Sequence, residues 1–296
     1  LSIKVRKMLL LLVLVVAIVS LTACGEGEQG TSTGTPETTS ASSGNSTAPG
    51  NEKELFVAVL GEASNLDSFS ITMTAESQME SDGVNMDNIT ESAMDIVLKP
   101  EIAFKQLTSV EAEGQKQNIE SYFTADGFFM KDPTSDSWVK LPNEFKELAF
   151  QSVDQQALDP SAQLAELLDY ADQFHVIEKD GIYTFTLKAQ GEAFSELIQE
   201  KLDEQESAWG QTIDMEIKAL EYTVQVEKKS NNLLAMDIYM DMSMPESEST
   251  PAMSVKSKIN MNYSNHNGIK EIVVPEAAAN AEELDLGALS GLPQSQ

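Results

Sequence analysis

Nucleophilic, general-base and metal chemistry have few candidates in this chain, which holds two histidines and one cysteine among 296 residues. His175 lies near a hairpin turn, and His266 lies in the polar run Asn265-His266-Asn267-Gly268. Neither has another metal-binding residue at a ligand spacing, so both read as surface histidines. Acids are far more numerous. Asp214/Glu216 and Asp237/Asp241 each share one strand face, and such a pair does acid–base work only inside a cleft; otherwise it is a solvated face. Glu246-Ser247-Glu248 offers carboxylates to a loosely held calcium ion, with a solvated loop as the simpler reading. No Gly-x-Ser-x-Gly elbow or phosphate-cradling loop is present, and Gly25-Glu26-Gly27 falls in a low-complexity stretch. The expectation is a chain without catalytic residues, cofactor or metal.

The remaining reactive group is the thiol of Cys24, which has no second cysteine to pair with. It follows Leu21-Thr22-Ala23, and ahead of that come a basic start (Lys4, Arg6, Lys7) and an unbroken apolar run, Met8 to Val19. This is the layout of an export signal with a cleavage site. A membrane-spanning helix needs about 20 apolar residues, more than this run supplies. A buried core helix would not open on a basic cluster and close on small polar residues. A free reactive cysteine remains the other use for the thiol.

Leu-Thr-Ala-Cys resembles the bacterial lipobox, in which a signal peptidase cuts before the cysteine and the thiol carries a diacylglyceryl group. The resemblance implies a signal peptide at residues 1–23 and lipid attachment, palmitate among the acyl groups, at Cys24. The protein would then be extracytoplasmic, held to the cell membrane through acyl chains on Cys24. Losing the leader, with its three basic residues and no acid, takes the formal charge from −29 to −32. Such a surface repels phosphate backbones and anionic headgroups, so nucleic acid is excluded as a partner and adhesion must come from the acyl chains. After Cys24, residues 25–50 are mostly Gly, Ser, Thr, Glu, Pro and Asn with no large apolar side chain, a flexible tether reaching about 28 Å on average and at most about 90 Å. That reach suits a Gram-positive cell wall.

The folded part is expected at residues 51–276. Asn51 with Glu54 has the form of a capping box, and Leu55, Phe56, Val59, Leu60 and Ala63 follow at helical spacing. The period then drops to two. Phe69, Ile71, Met73 and Ala75 line one face of a first strand, and Met94, Ile96 and Leu98 a second that ends at Pro100. Ile102 to Ala112, Ile119 to Phe123, Phe128 to Met130 and Trp138 to Leu141 continue an antiparallel meander. A short helix with Phe145, Leu148 and Ala149 is expected next, then a helix capped by Asp159-Pro160 with Leu164, Leu167, Leu168 and Ala171 buried. A hairpin turns at Lys179-Asp180-Gly181, and an amphipathic helix carries Phe194, Leu197, Ile198 and Leu202. Ile213, Met215 and Ile217 lie on one parity and Leu220, Tyr222, Val224 and Val226 on the other, which requires a bulge near Lys218-Ala219. Two long strands, from Leu234 to Met244 and from Met253 to Tyr263, complete the sheet, and residues 277–296 are expected to form a flexible tail. The fold class is α+β: a strongly curved antiparallel sheet, a half-barrel, with helices packed on its concave face.

Two segments resemble a family. Tyr122-Phe123-Thr124-Ala125-Asp126-Gly127-Phe128-Phe129-Met130 followed by Trp138-Val139-Lys140-Leu141, and Leu158-Asp159-Pro160-Ser161 with its helix and the Asp180-Gly181 hairpin, are similar to segments of bacterial envelope lipoproteins of the LppX/LprG kind. Broader relatives are the LolA-type carriers and Gram-positive lipoproteins. The resemblance implies a half-barrel whose concave face holds acyl chains, and no functional residue carries over by identity.

Methionine is the other feature of the dry strand faces, where valine or isoleucine would be the better strand former. Thioether side chains are soft and adaptable, which suits a surface that fits variable apolar guests, although they also serve as ordinary core filling. The expected lining of a ligand cavity is Phe69, Ile71, Met73, Met94, Ile96, Phe104, Met236, Ile238, Met240, Met242, Ile259 and Met261. The leading expectation is a lipoprotein that binds or carries a lipid or acylated envelope component. The alternative is a module that docks another envelope protein through the convex face of the sheet.

Overall fold

The structure is a computed structural model that describes residues 52–81, 83–112, 115–133, 135–142, 158–189, 216–246 and 252–284. Cys24, the leader, the tether, Asn51, the helices expected around Phe145 and Phe194, and Ile213, Asp214, Met215 and Glu248 lie outside the described residues. Helix α1 (Glu52–Ala63) comes first, with acids in its opening turn, where they complement the helix dipole, and Phe56, Val59 and Ala63 buried on one side.

Among the described residues eleven strands follow in one antiparallel sheet. The first block is β1 (Ser68–Ser81), β2 (Val84–Val97), β3 (Ala103–Ala112), β4 (Gln115–Thr124), β5 (Gly127–Lys131) and β6 (Trp138–Leu141). The second is β7 (His175–Lys179), β8 (Ile182–Ala189), β9 (Glu216–Glu227), β10 (Leu233–Met244) and β11 (Met253–Ser264). Their spatial order is β6-β5-β4-β3-β2-β1-β11-β10-β9-β8-β7, so two meanders meet at β1 and β11 and the sheet stays open, with β6 and β7 at its edges. The tight connections follow from turn chemistry: Asp180 and Gly181 both hold positive φ between β7 and β8, and Asn231 does so between β9 and β10. At Gly127 the backbone itself disfavours a side chain, because its φ is 150°; a Cβ there would also come within 2.8 Å of the Lys140 Cε, which as the far end of a flexible side chain can move aside.

The parity change in β9 is resolved by a bulge. Tyr222 faces Ile238 and Leu220 faces Met240, but the register then shifts so that Ile217, not Lys218, faces Met242. The extra residue keeps both parities on one side of the sheet.

That side, the inner face, carries the main core. Helix α2 (Pro160–Glu166) begins with Asp159 accepting from the Ser161 amide at 2.8 Å and with proline in the first turn, and a 3-10 turn (Leu168–Gln173) follows it. Phe56 of α1 stacks on Phe174 with ring centres 5.0 Å apart and meets the edge of Phe185 of β8 at 5.7 Å. Leu164, Leu167 and Ala171 join the same cluster, which runs on through Val224, Met236, Phe69, Ile96, Phe104 and Phe123.

The segment expected as a tail beyond residue 276 differs from that expectation as far as Leu284. Helix α3 (Glu276–Ala279) buries Ala278 against Tyr122 and Phe129, a second small cluster joined by Trp138, Ile272 and Val274. Lys140 then donates its amide to Glu282 and accepts from the Leu284 amide at 2.8 Å. Composition alone missed this, because alanine is small enough to pack closely and backbone hydrogen bonds leave no mark in a sequence.

Phe56 is fully buried between helix and sheet. Phe56→Ala is expected to lower unfolding free energy by about 3–5 kcal/mol, read from the urea midpoint at unchanged slope. A loss below about 1 kcal/mol would mean that α1 is not integral to the core.

Candidate functional site

Cross-strand ranks show how the inner face is built. One rank runs Thr108, Ser92, Met73, Met261, Met236, Val224, and the next toward the β1–β2 turn runs Val110, Thr90, Ala75, Ile259, Ile238, Tyr222. Two ranks further on, Met86, Met79, Val255, Met242 and Ile217 are aligned. Antiparallel pairing puts these side chains beside one another, so their sizes set the contour of the surface.

Between these ranks and the start of α2 lies a recess. The sheet contributes Phe69, Ile71, Met73, Met94, Ile96, Ile238, Ile259, Met261 and Tyr263, and the helix side contributes Leu158, Pro160 and Gln163. Empty space between these walls amounts to about 870 Å³ including the open mouth, of which about 90 Å³ accommodates water-sized bodies with clearance. One water needs about 10–15 Å³ by that second measure, so the sheltered part takes several, or a short run of methylenes.

Of the side chains expected to line a cavity, Phe69, Ile71, Met73, Met94, Ile96, Ile238, Ile259 and Met261 border the recess. The other four do not. Phe104 stacks on Phe123 at 5.3 Å, Met236 is fully buried in the core, Met240 packs against that core, and Met242 lies nearer the strand end. Parity decides which face a residue is on, but depth along the strand decides whether it meets the helix, the gap or open space. Thr90, Ser92, Gln106 and Thr108 also line the recess and were not expected. Their signal was the same parity: they fall in step with Met94 and Ile96 on β2 and with Phe104 on β3.

The histidines and acids singled out above lie apart from one another, each with at most one side-chain or carbonyl partner. His175 is exposed, and His266 Nε2 lies 2.8 Å from the Leu233 carbonyl oxygen. Asp237 accepts from Asn260 at 2.6 Å, Asp241 lies 4.0 Å from Lys256, and Glu216 accepts from Ser243 at 3.4 Å. Among the described residues, no group of three or more His, Cys, Asp or Glu side chains is placed to hold a metal, and no helix is long and apolar enough to cross a membrane.

A model described as a family of unknown function, DUF6612, matches residues 51–283. The chain belongs to the DUF6612 family. Solved structures similar to this DUF6612 fold include the Mycobacterium tuberculosis lipoprotein LppX, at 14% identity and a TM-score of 0.38 over 76% of this chain and 100% of that one. LprF from Mycobacterium bovis follows at 13% identity and 0.36, over 76% and 97% of the two chains. A putative outer membrane lipoprotein-sorting protein domain from Vibrio parahaemolyticus stands at 11% and 0.25, over 78% and 97%. These are the kinds of protein that the segments around Asp126-Gly127 and Asp159-Pro160 resemble. No curated protein matches the DUF6612 chain.

The buried phenols of this DUF6612 domain give its alkaline behaviour. Tyr263, in the recess wall, donates to the Met261 sulfur at 3.7 Å, and burial holds its ionisation well above the ordinary value of 10. Tyr222 is pushed up to about 12 by burial and then by the charge of Glu166, and Tyr122 to about 12 by burial and then by its hydrogen bond to Glu120. In the unfolded chain these phenols ionise near 10, so the folded state keeps their full contribution below that pH and loses it as pH rises toward 12 and beyond. Phenolate absorbance at 295 nm from these three residues is therefore expected to emerge together with loss of the circular dichroism signal. Tyr263→Phe should remove one phenolate from that step; removal from an earlier, reversible step instead would place Tyr263 in water.

Proposed function

We propose that this chain is a membrane-anchored extracytoplasmic lipoprotein that binds or carries a hydrophobic molecule, a lipid or acylated envelope component, in the recess between α2 and the inner face. One observation carries this reading: methionine, isoleucine and phenylalanine side chains turn toward a gap that the helix leaves unfilled, whereas close packing is the rule elsewhere in protein interiors. On this reading the sheet curls into a half-barrel with helices on its concave side, and the recess is the unoccupied part of that concavity. Flexible thioethers at Met73, Met94 and Met261 would let the walls adapt to guests of different shape. The isolated histidines and singly partnered acids favour binding over catalysis. The address rests on the leader at residues 1–23, the tether at 24–50 and the acyl chains on Cys24.

The full chain, released from membranes and stripped of detergent in the mass spectrometer, is expected to retain a lipid-sized adduct. Met73→Trp, which fills the recess from the sheet side, should cut the bound fraction at least tenfold while the urea midpoint stays within the range of a surface substitution. A protein without adduct, or an adduct indifferent to Met73→Trp, would sink the carrier reading.

Cys24→Ser should abolish labelling by an alkyne-bearing palmitate fed to cells and move the protein from the membrane fraction to the medium. Labelling that survives the substitution would put the acyl group elsewhere or remove it from the account.

A second reading, docking of another envelope protein, is favoured by the opposite face. There Thr72, Thr74, Glu91, Leu107, Lys116, Lys131 and Asp136 line an open groove, and Ile89 and Leu107 are exposed. Crosslinks to one partner in cells that persist in Met73→Trp and vanish in Leu107→Glu would select it.

A further inference from the structure

The recess is not uniformly apolar. Its β2–β3 side carries Thr90, Ser92, Gln106 and Thr108, and the Ser92 and Thr108 side chains are buried although they belong to hydroxyl residues on a dry face. Ser92 and Thr108 face each other across the strands with their oxygens 3.2 Å apart, and the Gln106 amide donates to the Ser92 oxygen at 3.4 Å. A hydroxyl has one hydrogen to give and two lone pairs to receive. If Ser92 donates to Thr108, the Thr108 hydrogen is left over. If Thr108 donates to Ser92, the Ser92 oxygen accepts twice and its own hydrogen is left over. With the Gln106 nitrogen turned toward Ser92, the pair keeps one spare donor either way, and neither hydroxyl has a further partner among the described residues. A buried donor costs free energy until an acceptor meets it.

Charge narrows what that acceptor is. Among the described residues that line the recess there is no Lys, Arg, His, Asp or Glu. A carboxylate entering it would shed its water with no cation to meet it, against the long-range field of a chain of formal charge −29. A plain hydrocarbon would enter without that penalty but would leave the donor unmet. An ester or amide carbonyl satisfies the donor and brings no charge.

We infer that the guest is an uncharged acyl ester or amide whose carbonyl oxygen accepts from the Ser92–Thr108 pair. Its chain then lies along Met73 and Met261, which continue the same cross-strand rank. This rests on the recess being a ligand site, and it adds which chemical class the site selects: discrimination comes from the buried donor on one side and from the absence of a counter-charge on the other.

The test uses the full chain in lipid nanodiscs at pH 8, with two photoreactive probes that share one diazirine-bearing palmitoyl chain: its glycerol monoester and its free acid. After illumination, labelled peptides are mapped by mass spectrometry. The monoester is expected to label the peptides around Met73, Met94 and Met261 at least ten times more than the acid does. Ser92→Ala combined with Thr108→Val removes both hydroxyls at nearly constant volume and should bring the ratio close to one, while Thr108→Ser keeps the donor and should keep the ratio. Equal labelling of the recess by both probes in the unsubstituted protein would overturn the inference and leave the carrier reading standing. A ratio that survives in the double variant would overturn the assignment to this pair. Recess peptides labelled by neither probe would bring down the carrier reading and the inference together. The ratio in the unsubstituted protein decides by itself should the double variant fail to fold.

Discussion

The inner face depends on the backbone ladder between β1 and β11, which runs from Ser70 opposite Ser264 to Ser81 opposite Met253. These strands lie near opposite ends of the described chain, yet their pairing joins two meanders into one sheet and sets the apolar faces of both on the same side. A one-residue slip would turn Met261, Ile259 and Val255 outward and, in one direction, bring Asn260, Lys258 and Lys256 in opposite Met73, Ala75 and Ser77, so the alternation of the two strands itself enforces the register. The loop after β11 reinforces it: the Asn267 amide donates to the Ser68 carbonyl at 2.7 Å, the Asn267 side chain accepts from the Asp67 amide, and the Ile269 amide donates to the Ser68 hydroxyl. Such long-range closure is entropically costly before it is rewarded, which makes this a slow-forming junction compared with the hairpins on either side.

Given that junction, the recess follows from a mismatch of lengths. Among the described residues β1 and β2 are far longer than the helices on the inner face, and α2 with the 3-10 turn meets only part of their length, with the recess where that contact gives out. Where cover is complete, aromatic rings dominate, as at Phe56, Phe174 and Phe185. Where it gives out, methionine, threonine and serine take over, residues that tolerate an incomplete or changing neighbour better than a ring does. Side-chain choice along one strand thus tracks the change from packed core to open surface.

Much of this was legible in the sequence. Period-two alternation located the strands, Asp159-Pro160 the start of α2, Asp180-Gly181 a hairpin, and the switch of parity around Lys218 the bulge. The boundaries of β1 and β2 were less so, because beyond Ala75 the inner face is interrupted by Ser77 and Ser81 on one strand and Asn88 on the other, so that Met79, Met86 and Val84 leave only a broken apolar signal although the ladder continues. Cavity lining was legible only as to face. Phe104 and Met236 share their parity with true wall residues, but their neighbours across the strands, Phe123 and Val224, complete a packed layer around them. The hydroxyls of the wall were invisible to a search for oily side chains, and the docking of residues 276–284 rests on hydrogen bonds of the main chain.

That last segment has a consequence for the sheet's lateral growth. An open sheet presents a row of unmet amides and carbonyls on each outer strand, and such rows recruit further strands from other molecules. At one border β7 is short, with His175 and Lys179 exposed. At the other, the stretch around Glu282 to Leu284 takes up both main-chain groups of Lys140 on β6, so the chain supplies its own terminal bumper. A strand of another molecule arriving at β6 therefore finds the Lys140 amide and carbonyl already occupied, and the ladder cannot be extended through that residue.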